Sequence, residues 1–148
     1  MPIKIFAVLL FGLLGSISAQ AEQKVVFNGD YELHYIVFNS TMLQPDIARQ
    51  YNLTRGGRNA ILNLSVLQQQ PNGVATPVEA EVRVRVRDLL GQVRQLPLDV
   101  VREQNAIYHL GNVKILDREM LWFDIEVEIP GERDFDFSFS KEMWEEDA

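Results

Sequence analysis

His34 and His109 are the only histidines in the chain, and with Met42, Met120 and nearby carboxylates they could in principle ligate copper or zinc. Their spacing argues otherwise. There is no His-x-His, no Glu-flanked histidine pair and no methionine cluster, and the absence of cysteine removes thiolate ligands altogether. No metal site and no cofactor are expected. Hydrolytic signatures are equally thin, with neither a Gly-x-Ser-x-Gly elbow nor a His-Glu-x-x-His helix. Any Ser-His-Asp constellation would have to be assembled in space, so no catalytic residue is assigned.

Recognition chemistry has better candidates. His34-Tyr35-Ile36-Val37-Phe38 runs into Asn39-Ser40-Thr41, three polar residues able to bond local backbone, and Tyr51 to Asn59 is a basic segment carrying Gly56-Gly57. Arg55 and Arg58 on such a loop could grip a carboxylate or phosphate in bidentate fashion. Asn39, Arg55, Arg58 and His34 are therefore the candidate binding residues. The bland alternative is that both arginines pair with some of the 21 Asp and Glu and that the glycines only turn the chain. Most aromatics fall at strand spacing and read as core, whereas Trp144 lies in an acidic tail where an exposed ring could anchor a partner.

The elements that must position these residues are strands. From residue 24 onward the dominant period is two. Val78, Ala80, Val82, Val84 and Val86 alternate with Glu79, Glu81, Arg83, Arg85 and Arg87. Leu121, Phe123, Ile125, Val127 and Ile129 alternate with Asp124, Glu126 and Glu128, and Phe135, Phe137 and Phe139 with Asp136, Ser138 and Ser140. If such strands are neighbours, opposite charges pair across their wet face. Asn28-Gly29, Asn72-Gly73, Asp88 to Gly91 and Pro130-Gly131 supply the reversals. Pro97 interrupts the run from Gln92 to Val101, which marks an edge or a bulge. Pro45 to Asn52 alone reads as helix, a short connector with Ile47, Ala48 and Tyr51 on one side. The pattern predicts an all-β, antiparallel, immunoglobulin-like sandwich of seven to eight strands with one short helix near residues 45–52, although a small barrel would alternate in the same way.

The ends and the composition bound the setting. Lys4, the apolar run Ile5 to Leu14 and Ala19-Gln20-Ala21 form a signal peptide with cleavage near Ala21, leaving residues 22–148 as one domain and 141–148 as a frayed acidic tail. The apolar run is too short to span a bilayer, so the mature chain should not cross a membrane. The full sequence carries 14 Lys plus Arg against 21 Asp plus Glu, a net charge of −7 that becomes −8 once Lys4 is removed. That charge disfavours nucleic acid, which needs a basic patch. Sequons at Asn39, Asn52 and Asn63 read as structural asparagines, and the cysteine-free composition points to a bacterial periplasm.

At His34-Tyr35, Asn39-Ser40-Thr41, Leu43, Pro45, Ala48, Tyr51, Arg55, Arg58-Asn59 and Leu62 to Val66 the chain resembles an uncharacterised family of proteobacterial exported proteins, domain of unknown function 4426. The resemblance implies a periplasmic β-sandwich with no assigned activity and carries no catalytic residues to transfer. Gln44 stands before Pro45 where a hydroxyl residue would cap the helix. The expectation is a non-enzymatic periplasmic binding or interaction module, an accessory to envelope assembly, whose partner is an unknown protein or a small anionic ligand. Two alternatives are an enzyme acting on an anionic or cell-wall substrate through His34 or His109, and a metal-handling protein. A third is recruitment of another chain along an edge strand, which Pro97 would blunt.

Overall fold

The computed structural model describes residues 22–147, so the leader expected over residues 1–21 lies outside the described part. The described residues form ten strands: β1 (Gln23–Phe27), β2 (Tyr31–Asn39), β3 (Asn59–Gln69), β4 (Ala75–Pro77), β5 (Glu81–Arg87), β6 (Val93–Leu96), β7 (Asp99–Glu103), β8 (Ala106–Lys114), β9 (Glu119–Glu128) and β10 (Phe135–Met143). A 3-10 turn (Ser40–Met42) and one helix, α1 (Pro45–Gln50), lie between β2 and β3. The larger sheet has the order β1-β2-β3-β8-β7 with β4 beside β3, and the smaller has the order β10-β9-β5-β6. All pairings are antiparallel. The result is an all-β sandwich.

Its main core lies between the sheets, with Leu33, Val37, Leu62 and Leu64 of the larger one facing Val84, Val86, Phe123 and Ile125 of the smaller. Phe135, Phe137 and Phe139 add a row of stacked rings along β10. The outward residues of β5 and β9 pair as their alternation predicts. Arg83 meets Glu126 at 3.3 Å and also binds Glu81 and Glu128, while Arg87 grips Asp124 through two bonds of 2.5 and 3.0 Å.

A second core covers the outer face of the larger sheet. Ile36, Phe38, Ile61, Tyr108 and Leu110 pack there against Leu43, Ile47, Ala48, Tyr51 and Leu53 of the α1 segment. The helix is thus a cover rather than only a connector. Burial on both faces explains why Tyr35 to Phe38 of β2 and Ala60 to Leu62 of β3 are continuously apolar, without the strict alternation of β5 and β9.

Pro97 separates two strands that the sequence joins into one. β6 ends at Leu96 in the smaller sheet and β7 begins at Asp99 in the larger, so the chain crosses between sheets at the proline. Both strands are edges, where a missing N–H costs no ladder bond. This crossing, together with the three-residue β4, raises the strand number to ten from the expected seven to eight. The turns follow their residues. Asn28 and Gly29 take φ of 47° and 91°, and Pro130-Gly131 closes with Glu132 N–H donating to Ile129 O at 3.0 Å. The last strand runs on to Met143, which is buried, so the acidic tail begins as sheet.

Candidate functional site

Asn39, Ser40 and the Arg55 to Arg58 loop come together at the end of β2, and most of their polar groups are used internally. Asn39 caps the 3-10 turn, its Oδ1 accepting from Thr41 N at 3.0 Å and from Thr41 Oγ1 at 2.9 Å. Its Nδ2 donates to Gly57 O at 3.0 Å and to Trp144 O at 3.3 Å, which ties β2 to the loop and the tail. Ser40 Oγ donates to Gly56 O at 2.9 Å and accepts from Gly56 N at 2.8 Å. Arg55 donates to Leu43 O at 2.9 Å and Thr41 O at 3.3 Å, so its guanidinium laces two segments together. Arg58 points outward and meets Glu145 at 3.0 Å. The tail in turn lies on Gly57, where Glu146 N–H donates to the Gly57 carbonyl at 3.1 Å.

His34 stands apart from that loop, on the outer face of the larger sheet. Its Nδ1 lies 2.5 Å from Glu22 and its Nε2 2.8 Å from Glu32, so both ring nitrogens face carboxylates. Glu22 first, and Glu32 after it, raise the imidazole pKa above its ordinary value against the opposing effect of burial. Bonds from His34, Gln69 and Lys24 bring the Glu32 carboxyl down to about 2. Ser65 lies directly across from His34 in the β2–β3 register. With both nitrogens committed, no basic lone pair remains to activate its hydroxyl.

His109 occupies the other face. Leu110 belongs to the outer core, so its neighbour His109 points inward, and the two imidazoles are separated by the sheet itself. Among the described residues no three His, Asp or Glu gather in a group able to hold a metal ion. One Ser-x-x-Lys spacing, Ser138 to Lys141, lies on β10, where that offset sends the side chains to opposite faces. Ser138 Oγ donates to Asp124 at 2.6 Å while Lys141 Nζ donates inward to Val37 O at 2.5 Å.

The end of the sandwich beside Arg58 is unusually apolar. Leu89 and Leu90 at the β5–β6 turn are 74% and 85% exposed, Leu116 in the β8–β9 turn 62% and Trp144 49%. With Val93 they make five of the eight large hydrophobic residues exposed among the described ones. The surroundings hold them there. Asp88 Oδ1 accepts from Leu90 N and Gln92 N, both at 2.9 Å, fixing the turn with its leucines outward. Arg118 stacks over the Trp144 ring at 5.1 Å, and Asp117 accepts from Glu145 N at 3.1 Å. Paired leucines in a four-residue turn, where polar residues are usual, were the sequence signal for this patch.

Two packed antiparallel sheets, a helical cover and an apolar, arginine-flanked end define a β-sandwich domain whose distinctive chemistry lies at its surface. The chain belongs to the family described as domain of unknown function (DUF4426), whose model matches residues 25–146. It is similar to the crystal structure of a DUF4426 family protein (PA0388) from Pseudomonas aeruginosa PAO1, with 39% identity and a TM-score of 0.72 over 85% of this chain and 97% of that one. It is also similar to FetP of uropathogenic Escherichia coli strain F11. A copper-bound variant gives 14% identity and a TM-score of 0.58 over 85% of this chain and 97% of that one. FetP as isolated after expression in the periplasm gives 13% and 0.57 over 86% and 97%. At those identities the likeness to FetP shows the fold alone. None of the curated proteins matches the chain.

Proposed function

We propose that this chain is a non-enzymatic interaction module of the bacterial periplasm, and that its contact surface is the end formed by the Arg55 to Arg58 loop, the β5–β6 and β8–β9 turns and the tail. The observation that carries the reading is the gathering of Leu89, Leu90, Leu116 and Trp144 at that end beside Arg58 and Arg118. Tryptophan and arginine dominate the energetics of protein contacts, and contiguous exposed apolar surface on a soluble domain marks a partner site. A protein partner suits this composition better than an anionic bilayer, which the net charge of −7 opposes. The loop candidates fit as support and rim. Asn39 and Arg55 hold the surface in shape, and Arg58 stands on it.

FetP has a copper-bound form, and a metal-handling role for this chain would need an imidazole free to coordinate. His34 offers none while Glu22 and Glu32 engage both its nitrogens, and His109, whose Nε2 is unpaired, has no group of three His, Asp or Glu able to hold a metal ion around it among the described residues. The interaction reading is tested by cross-linking in intact cells followed by recovery of the tagged chain. A discrete partner species should fall at least tenfold in yield with Leu90→Asp and with Trp144→Ala, while Tm stays within a degree or so of wild type. Undiminished yield with both variants would remove this end from the interaction.

A further inference from the structure

At the opposite end of the sandwich, between the β7 edge and the β9–β10 turn, lies an open cleft of about 640 Å³. We propose that this cleft binds a small organic cation with an apolar body, an alkyl- or arylammonium. Its floor is apolar, made by Val82, Leu98 and Ile129 between the sheets. Among the described residues five carboxylates, Glu79, Glu81, Glu128, Glu132 and Asp134, line it, and no lysine or arginine does. Three of them are already matched by guanidinium groups, Glu79 by Arg102 and both Glu81 and Glu128 by Arg83. Among the described residues Glu132 accepts only from the Tyr31 hydroxyl, at 3.2 Å, so a cationic ligand would find Glu132 and Asp134 as counter-charges. An anionic ligand would meet repulsion from the same groups.

The second, independent observation is His109. It lines the cleft at 3% exposure, and its Nε2 is a buried polar atom without a hydrogen-bond partner. Buried polar atoms are almost always paired, so an orphaned one on a cavity wall marks a place where a ligand atom completes the set. Burial, with Arg102 nearby, lowers the pKa of the imidazole, leaving a neutral ring able to accept from an ammonium N–H. Val100, on the β7 edge and 41% exposed, is the cross-strand partner of His109 and lines the same cleft. The site is remote from the Leu89 and Trp144 end and does not depend on the interaction reading.

The test is a two-dimensional NMR titration of the full chain at low ionic strength with n-octylammonium, octanoate and octanol, each below its micellar concentration, and separately with Cu(II). Octylammonium should shift the His109 ring and the Val82, Leu98 and Val100 amides saturably, with at least tenfold higher affinity than octanoate or octanol. His109→Leu, and independently the exposed pair Glu132→Gln with Asp134→Asn, should each weaken it at least tenfold. The acidic-rim variant keeps the test decisive should His109→Leu fail to fold. Equal binding of octanoate or octanol, no saturable shift, wild-type affinity in the rim variant, or stoichiometric capture of the His109 ring by Cu(II) in preference to octylammonium would each overturn the proposal.

Discussion

Arg55 and Arg58 share a loop and do different work. Arg55 closes the loop onto the carbonyls of Leu43 and Thr41, whereas Arg58 makes one exposed ion pair with Glu145. Arg55→Ala should therefore cost about 1 kcal/mol of stability, and Arg58→Ala less than about 0.5 kcal/mol, as read by urea unfolding. Asn39 is the more costly residue to lose, because it is buried and both ends of its amide are used; Asn39→Ala should cost about 2 kcal/mol. The trio of Glu22, His34 and Glu32 sets a pH window. The His34 pKa is raised on folding, so its contribution is complete below the ordinary value of 6.5 and fades as pH rises through the folded value. The Glu32 pKa is lowered from 4.5 to about 2, so its contribution is complete above 4.5 and fades below. The Tm difference between wild type and His34→Gln should then be greatest between pH 4.5 and 6.5, and a difference that grows toward pH 9 would contradict this. The sequence showed the polar types at Asn39, Arg55 and His34. It could not show that Asn39 and Arg55 bind backbone carbonyls of other segments, or that Glu22 is brought beside His34 to join Glu32 of the same strand.

At the scale of elements, the long strands were legible between their turns, but not which of them have both faces buried. β5 and β9 alternate because one face meets water, and their charge pairs follow from the pleat. Tyr35 to Phe38 of β2 and Ala60 to Leu62 of β3 do not alternate, because α1 covers what would otherwise be a wet face there. That cover is a tertiary fact without a local signature. Pro97 announced an interruption, but only the topology reveals that the chain changes sheets there. Gln44, the N-cap of helix α1, makes no side-chain cap bond, so Gln44→Asp should satisfy a free N–H of the first turn and stabilise the protein by about 1 kcal/mol in thermal unfolding. Gly57 is the joint between loop and tail. A Cβ there would lie 1.7 Å from the Glu146 carbonyl oxygen, a backbone atom that cannot move aside alone. Gly57→Ala should lift the tail and speed carboxypeptidase trimming back toward Met143, while trimming at the wild-type rate would mean that the tail does not rest on the loop.

The molecule as a whole has two unlike ends. One carries Leu89, Leu90, Leu116 and Trp144 beside arginines, and the other carries turns such as Asn28-Gly29 and Pro130-Gly131 and an acidic cleft. Alternation and turns led to the sandwich, but an exposed end is defined by which turns project together, and that depends on strand register. A single interaction site should follow this polarity. The most direct measurement is site-specific photo-cross-linking in cells with a photoreactive amino acid placed at Leu90, at Trp144 or, as the far-end control, at Val74, which is 56% exposed. Positions 90 and 144 should yield the same discrete adduct and position 74 none. An adduct from position 74 alone, or the absence of any adduct from the apolar end, would contradict the account.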